Sequence, residues 1–466
     1  MPGILGIDTY FPRRRLDRAL IGKAWGMRVP GGTRTVAGID EDALTMATDA
    51  VLGCLDETDA DTTAVDALYF ASTSSPYAEK QVASVISTAA DLPRSIAVAD
   101  FAGSVRAGLG ALRAALDGVR AGTLRTALVA AADARVAEPE SELEPLLGDG
   151  AAALLVGAGD GVIAELVASA SVSEEFTCLW RTDAQRTVQV TESRFGSSYG
   201  YARDVGEAIG LVLRKAELPP GRVAALALGA PDARAAADAA KRAGCDPARL
   251  APSLLAEAGI IGSAEPLALL SRCLETAAPG DFLVAAGWGE GADALVFRAT
   301  ERLPAARPRP LAERLARGLP LPSYERYLRA RGVLPADVPG EAMTSITEWK
   351  ELKQDVRLYA SRCGTCELVQ YPQAQVCLAC RGRNLVDHKL GRRGTVFTFT
   401  IDNLAPVAEH PLPMAVIDLD GGGRVYLQVA DAAEGEVKVG VPVTLTFRRL
   451  HEAGGNRNYF WKARPA

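Results

Sequence analysis

Between Gly3 and Thr300 the apolar positions of the chain spell one order of elements twice. Runs such as Thr126–Ala132 and Val223–Leu228 are apolar without alternation, the pattern of strands covered by helices on both faces. The first pass predicts a helix over Glu41–Leu55, a strand over Asp66–Ser72, a helix over Lys80–Asp91, and then the segment Ala97–Ala121. That segment starts as a strand, turns at Gly103-Ser104 and becomes an Ala/Leu helix; the strands Arg125–Ala132 and Ala151–Gly157 follow. The second pass predicts the helix Val205–Ala216, the strand Val223–Leu228, the helix Arg234–Ala243, the segment Leu254–Ala277 turning into a helix at Gly259–Gly262, and the strands Phe282–Ala286 and Ala294–Arg298. A duplicated α/β unit results, with halves at 1–165 and 166–300. Its many Ala and Gly residues suit layers in which helices cross strands closely.

From 301 to 343 the pattern gives way to Pro, Arg and Leu, as in Arg307-Pro308-Arg309-Pro310, and the prolines forbid a long helix. This is a linker expected to pack rather than dangle. A short helix over Ile346–Asp355 opens the region 344–390. Within 391–466, the β segments Gly394–Ile401, Met414–Leu419, Arg424–Val429, Val443–Phe447 and Tyr459–Ala463 are separated by turn residues. Five short strands of this kind fit a small Greek-key barrel of the oligonucleotide/oligosaccharide-binding (OB) type, a statement about fold and not about ligand.

Composition then narrows the class. A chain of 466 residues that is 48% hydrophobic and 23% charged can bury cores in two or three domains. Its net charge of -6 offers no basic footprint for a phosphate backbone, so nucleic acid is not an expected partner. No apolar stretch has the length of a membrane span, and no secretory leader is visible; the cysteine usage described next makes a reducing cytoplasm the expected setting.

Half of the cysteines fall together. Cys363, Cys366, Cys377 and Cys380 form two C-x-x-C knuckles, a spacing that turns four thiolates toward one tetrahedral ion. The expected cofactor is structural zinc, closed by four sulfurs with no open position for catalysis. The other four, Cys54, Cys178, Cys245 and Cys273, are scattered and read as small buried thiols; Cys178, beside Trp180, is the one that merits a test.

Specific stretches carry a resemblance. Gly6–Leu16, Ala37–Ala47, Gly148–Val156, Trp180-Arg181 and Ala278–Gly291 together resemble the 3-hydroxy-3-methylglutaryl-CoA (HMG-CoA) synthase branch of the thiolase superfamily, close to ketoacyl synthase III. The C-terminal 120 or so residues resemble the zinc-ribbon and barrel family called domain of unknown function 35, through Leu358–Cys366, Pro372, Gly394-Thr395-Val396 and Val439–Val443. The fold this implies is a duplicated thiolase-like αβαβα unit, then a rubredoxin-like zinc ribbon and a five-stranded OB-type barrel.

In the synthases a cysteine at the start of the first half's long helix attacks an acyl-CoA, and a histidine and an asparagine from the second half assist. Matching motif to motif places Val105 at the cysteine, Gly229 at the histidine, Ile260 at the asparagine and Ser74 at an acidic position. None of these can do the family's chemistry. The histidine census agrees, since His388, His410 and His451 are the only histidines and all follow the ribbon. Substitutes are few: Ser104, which reads more readily as a helix N-cap, and Tyr199 or Tyr201 as proton donors. Arg106 and Arg181 are candidates for CoA phosphates, and Val105 with Ile260 implies an apolar acyl pocket or a closed one.

Two functions fit. The resemblance implies an auxiliary subunit of an acyl-CoA assembly, with a CoA thioester as candidate ligand, dimerising through the thiolase-like region and docking a cysteine-bearing thiolase-type chain. The alternative is a cysteine-independent acyl-CoA acyltransferase or retro-aldolase acting alone.

Overall fold

A computed structural model describes residues 1–334, 345–405, 407 and 409–466. The chain divides into two compact units. One comprises Met1–Gly38, Asp42–Ser87 and Leu92–Arg331; the other Ile39–Glu41, Thr88–Asp91 and Gly332–Ala466. The end of the expected linker, from 335 to 343, lies outside the described residues.

The first unit is built on β1 (Pro2–Tyr10), α1 (Ala43–Thr58), β2 (Ala67–Ala71), α2 (Val82–Ala89), β3 (Ala97–Phe101), α3 (Ala107–Arg120), β4 (Ala127–Asp133) and β5 (Gly150–Ala158). It continues with β6 (Ala164–Ser173), α4 (Ala202–Lys215), β7 (Val223–Leu228), α5 (Ala233–Arg242), α6 (Glu265–Thr276), β8 (Phe282–Trp288), β9 (Gly291–Ala299) and α7 (Tyr324–Ala330). The strands form one nine-stranded sheet in the order β7-β8-β9-β6-β1-β5-β4-β2-β3. Each half pairs parallel strands and then closes with an antiparallel one: β2 lies parallel to β3 and β4, and β7 parallel to β8. A short antiparallel pairing of β1 with β6, through Gly3 and Ile4, joins the halves.

Small residues let the layers close. Ala130, Ala131 and Ala132 pair across the sheet with Ala153, Ala152 and Ala151. Above them, α3 and α6 share one core in which Leu109, Leu112 and Leu116 meet Leu267, Leu270 and Leu274. The two helix starts come so close that a Cβ on Gly108 would stand 2.2 Å from the Ser263 carbonyl oxygen. Glycine is required there by close approach.

The halves are not fully alike. The second-half counterpart of β3 shrinks to a single parallel bridge between Leu226 and Leu250. Pro247 and Pro252 flank that bridge, and proline has no N–H for a ladder. The strand β6 was not anticipated from the pattern, although it is what fuses the halves. The part of the linker up to Arg331 packs into the first unit: Leu303 and Leu311 enter its core, and Arg331 donates to Asp149 and to the Ala134 and Arg135 carbonyls at 2.8 Å each.

One carboxylate ties the halves at their meeting point. Asp133 ends β4, has no solvent exposure, and accepts through Oδ1 from Ser72 Oγ, Thr73 N, Thr73 Oγ1 and Ser74 Oγ at 2.8–3.1 Å. Its Oδ2 accepts from the Ser263 N–H at 2.7 Å, in the turn before α6.

The second unit begins with α8 (Ser345–Asp355), followed by β10 (Tyr359–Cys363), β11 (Val369–Gln370) and β12 (Leu385–Lys389), with β10 between the other two. The barrel strands are β13 (Arg393–Asp402), β14 (Leu412–Leu419), β15 (Arg424–Gln428), β16 (Pro442–Ala453) and β17 (Asn456–Pro465), in the order β15-β14-β13-β16-β17. A parallel bridge from Val429 to Ala463 links the two ends of that order, so the five predicted strands make a barrel. Phe447 and Trp461 fill its interior, ring centroids 5.3 Å apart.

Replacing the Asp133 carboxylate strands buried donors on both halves. Asp133→Ala is therefore expected to cost the first unit about 3 kcal/mol or more of stability, and Asp133→Asn less, since an amide keeps one acceptor oxygen. Thermal melts of the two variants check this; equal melting to the wild type would show that the clamp is dispensable.

Candidate functional site

The carboxyl ends of β2, β4, β7 and β8 converge, and every first-unit position singled out for acyl chemistry lies on the turns that leave them or on neighbouring loops. Open α/β sheets hold their ligands at such ends, where loops are free of the ladder. Val105 and Ser104 sit in the turn before α3. A Cβ on Gly289, just past β8, would lie 3.3 Å from Val105 Cγ2 and 2.2 Å from Ser104 Oγ, so the two turns touch. Ser104 is not a cap: α3 has no side-chain N-cap bond, and the Ser104 hydroxyl faces the Gly289 carbonyl oxygen at 3.3 Å.

Gly229 follows β7 and donates its N–H to the Ala286 carbonyl at 3.1 Å. A Cβ there would stand 3.0 Å from Pro266 Cγ, so the α6 start fills the space beside it. Ile260 donates to Leu146, while its carbonyl oxygen receives Gly148 N–H at 3.0 Å and lies 3.5 Å from Arg135 Nη2. Ser74 is a structural hydroxyl that donates to Asp133 and accepts from Ala134 N–H at 2.8 Å.

The two tyrosines part company. Both lie on the π-helical turn Gly196–Tyr201, but Tyr199 is 60% exposed and stacked on Phe195 at 4.8 Å. Tyr201 is 1% exposed, lies edge-on to Trp288 at 6.4 Å, and its hydroxyl has no hydrogen-bond partner among the described residues. The arginines differ as well. Arg106 donates to the Val172 carbonyl at 3.0 Å and faces Asp293 at 3.9 Å, which commits it to the fold. Arg181 is exposed and donates to the Thr73 carbonyl at 2.9 Å, beside the turn that carries Ser74.

The scattered cysteines are poor nucleophiles. Burial raises the Cys54 and Cys245 thiols and pushes Cys273 up to about 12. Cys178 is raised by burial and then by Glu142 and Glu192, and its sulfur contacts the Thr191 carbonyl at 3.2 Å. A thiol held protonated cannot be acylated readily at neutral pH.

Sequence reasoning missed two charged residues here. Glu265, the first residue of α6, is 3% exposed, and Arg135, two residues past β4, is 5% exposed. Burial pushes the Glu265 carboxyl from 4.5 up to about 8, with Arg135 acting in the opposite direction. An acid at the start of an apolar helix reads as an ordinary N-terminal residue, and nothing in a linear pattern announces its burial.

In the second unit the four ribbon sulfurs all lie within 4.8 Å of one another, with Cys363 and Cys380 at 3.6 Å and Cys366 and Cys377 at 3.5 Å. Four thiolates at tetrahedral bond lengths of about 2.3 Å stand about 3.8 Å apart, so the cluster is compatible with a zinc ribbon. Backbone N–H groups of Cys366 and Thr365 bring Cys363 down to about 6, and those of Cys380 and Ala379 lower Cys377. The Gly382 N–H favours the Cys380 thiolate too, yet the neighbouring sulfurs outweigh it and hold that thiol at about 11.

Comparison with known proteins agrees with this geometry. The first unit has a thiolase-like α/β fold, and the chain ends in an OB-fold domain: residues 387–448 match the family described as ChsH2, C-terminal OB-fold domain. The hydroxymethylglutaryl-CoA synthase of Pyrobaculum arsenaticum is 28% identical over 344 residues, 71% of this chain and 98% of that one. An HMG-CoA synthase solved with CoA superposes with a TM-score of 0.65 at 19% identity, covering 74% of this chain and 95% of that one. The 3-oxoacyl-[acyl-carrier-protein] synthase III of Aquifex aeolicus does so with a TM-score of 0.59 at 18% identity, covering 64% and 100%. HMG-CoA synthases are thus homologues of this chain, which supports an acyl-CoA-related function.

A pH test follows from Glu265. Its folded-state pKa lies above the unfolded value, so between about 4.5 and 8 the folded chain holds a proton that the unfolded chain has lost, and stability falls as pH rises. Asp8, pushed up to about 6 by burial against the pull of Arg314, contributes in the same direction. Glu265→Gln removes the larger part of this slope. Melting wild type and variant at about pH 5 and about pH 8 is expected to show the variant gaining on the wild type at the higher pH.

Proposed function

We propose that the thiolase-like unit binds a CoA thioester without forming an acyl-enzyme, and that the chain serves an acyl-CoA-processing assembly as an auxiliary subunit. The observation that carries this is the turn before α3: it presents Val105 where the homologous synthases are expected to hold their nucleophile, while every other cysteine of the unit is buried and protonated. The first 300 residues also hold no histidine. In this reading Arg181 meets the CoA phosphates, and four thiolates hold a structural zinc that keeps the ribbon folded. The ribbon and barrel dock a separate, cysteine-bearing thiolase-type chain. The unit pairs with a second copy, for which the open edge strand β3 is suited. Among the described residues no helix is long and apolar enough to cross a membrane, and a four-thiolate site with free cysteines elsewhere fits a reducing cytoplasm. The alternative, a cysteine-independent acyl-CoA enzyme, is favoured by one observation, the buried Glu265.

Calorimetric titration with acetyl-CoA is expected to give a dissociation constant between about 1 µM and 1 mM, weakened about tenfold by Arg181→Ala. Intact mass after incubation should show no acyl adduct; an adduct on any cysteine overturns the reading. Metal analysis is expected to find about one zinc per chain, and markedly less in Cys366→Ser, whose ribbon should become protease-sensitive. Affinity capture from the native host should return a thiolase-type chain, identified by mass, and lose it in that variant. Recovery of a bare homodimer would remove the docking claim.

A further inference from the structure

One barrel strand runs on past the neighbour it has on one side. β13 pairs with β16 only through Arg393–Thr395, and the next residue, Val396, bonds the Val441 carbonyl and the Gly440 N–H at 3.0 and 2.8 Å. On its other side β13 stays paired with β14 as far as Asp402. From Phe397 to Asp402 the edge away from β14 therefore has no strand beside it among the described residues. Pro413, opposite Ile401, has no N–H, and its carbonyl accepts from Val429 on the far side of β14. The alternation of an antiparallel ladder then directs the N–H and C=O of Ile401 and Phe399 away from β14. Asn403 Nδ2 approaches the Ile401 carbonyl oxygen at a weak 3.5 Å.

The residues on this edge are those of a strand that pairs. Thr395–Ile401 is β-branched or aromatic at every position and has no charge, and the Lys or Pro that commonly guards an edge is missing. Phe399 lies opposite Ala415, on the face that turns into the barrel, yet Phe399 and Ile401 are 37% and 40% exposed because β16 has already left. The segment is also complementary to itself. Laid antiparallel on its own copy with Thr400 facing Thr400, it brings Phe399 opposite Ile401 twice, so that the outward backbone groups of both residues meet. Four apolar side chains then share one face, and the threonines pair on the other. Centring on Phe399 instead would set Ile401 against Phe397, which sits in the bulge between Val396 and Thr398. With Phe397 at 50% and Leu404 at 94% exposure, this stretch offers roughly 600 Å² per copy, so a pair reaches about 1,200 Å², where specific interfaces begin.

We propose that this edge joins two copies of the chain, Thr398–Asp402 of one adding as a strand to the same segment of the other about a two-fold axis at Thr400. Such a contact is isologous and closes on itself, so the exposed edge is used up in a single pairing. The segment's complementarity to itself, residue by residue, selects a second copy over a strand of another protein. The contact is independent of the reading that the first unit takes a CoA thioester. It also adds to the pairing through β3: two isologous contacts about different axes assemble more than two chains.

Cross-linking tests the register. The facing Thr400 side chains occupy a non-hydrogen-bonded pair, whose β-carbons lie within reach of a disulfide. The full chain carrying Thr400→Cys, with its ribbon metal, is expected to form a covalent dimer under mild oxidation about tenfold or more faster than Thr395→Cys, an exposed position on the same strand with neighbours on both sides. Phe399→Lys, which would place a charge in the apolar face of the pair, should lower the mass measured by sedimentation to about half that of the wild type, with thermal melts showing that it is folded. Equal cross-linking of the two cysteine variants overturns the inference, and so does an unchanged mass in Phe399→Lys. If Phe399→Lys keeps its mass but no longer captures a thiolase-type chain, the edge belongs to that chain and the second-copy contact falls. Should Phe399→Lys fail to fold, the cross-linking rates decide alone.

Discussion

The geometry at the carboxyl ends of the strands depends on a single buried carboxylate. Asp133 receives the Ser72–Ser74 turn on one oxygen and the Ser263 N–H on the other, so one side chain fixes a first-half loop against a second-half turn. Five donors around one anion, three of them hydroxyl and two backbone, satisfy its oxygens, which is how a charge survives at the centre of a fold. The glycine at 262 is part of the same device: its φ is +64°, and a Cβ there would stand 2.3 Å from Asp133 Oδ2. Fixing this turn sets the start of α6, and with it the places of Glu265 and Pro266.

The clamp also shows why the turns around these positions keep their shape whatever side chains they carry. Ser74, which stands at an expected acidic position, is bonded to Asp133 and to Ala134; Ile260 is bonded through its backbone to Leu146 and Gly148. The loops are held by main-chain bonds and by Asp133, not by the side chains that catalysis would use. Substitution at 74, 105, 229 or 260 can therefore change chemistry with little effect on architecture, and the homologous fold persists at an identity of 28%.

Much of the architecture was legible in the linear pattern, because apolar periodicity is a local property. The barrel strands, the runs that became β4 and β7, and the cysteine knuckles all answer to short-range rules of alternation, burial and ligand spacing. What escaped was non-local. The strand β6 has a mixed pattern and is defined by the neighbours it finds, and the second-half edge strand fails because of two prolines that a duplicated template passes over. Tyr199 and Tyr201 are two residues apart and look equivalent in sequence, yet the π-helical turn sends one to solvent and the other beneath Trp288. Arg135 and Glu265 are 130 residues apart, and only the fold makes them neighbours.

That neighbourhood bears on how the candidate site should be read. A fold that simply abandons catalysis is expected to fill the vacancy with apolar side chains, since these gain from burial and need no partners. Val105 and Ile260 follow that rule, but Glu265, Arg135 and Tyr201 do not. An unpaired buried carboxyl beside an incompletely bonded guanidinium lowers stability, and such local costs persist where something other than stability is selected. The vacancy at Gly229 makes the point most directly. The space a side chain would need there is taken by the Pro266 ring, and the residue that comes with it is an acid whose proton affinity burial has moved to about 8, near neutral pH.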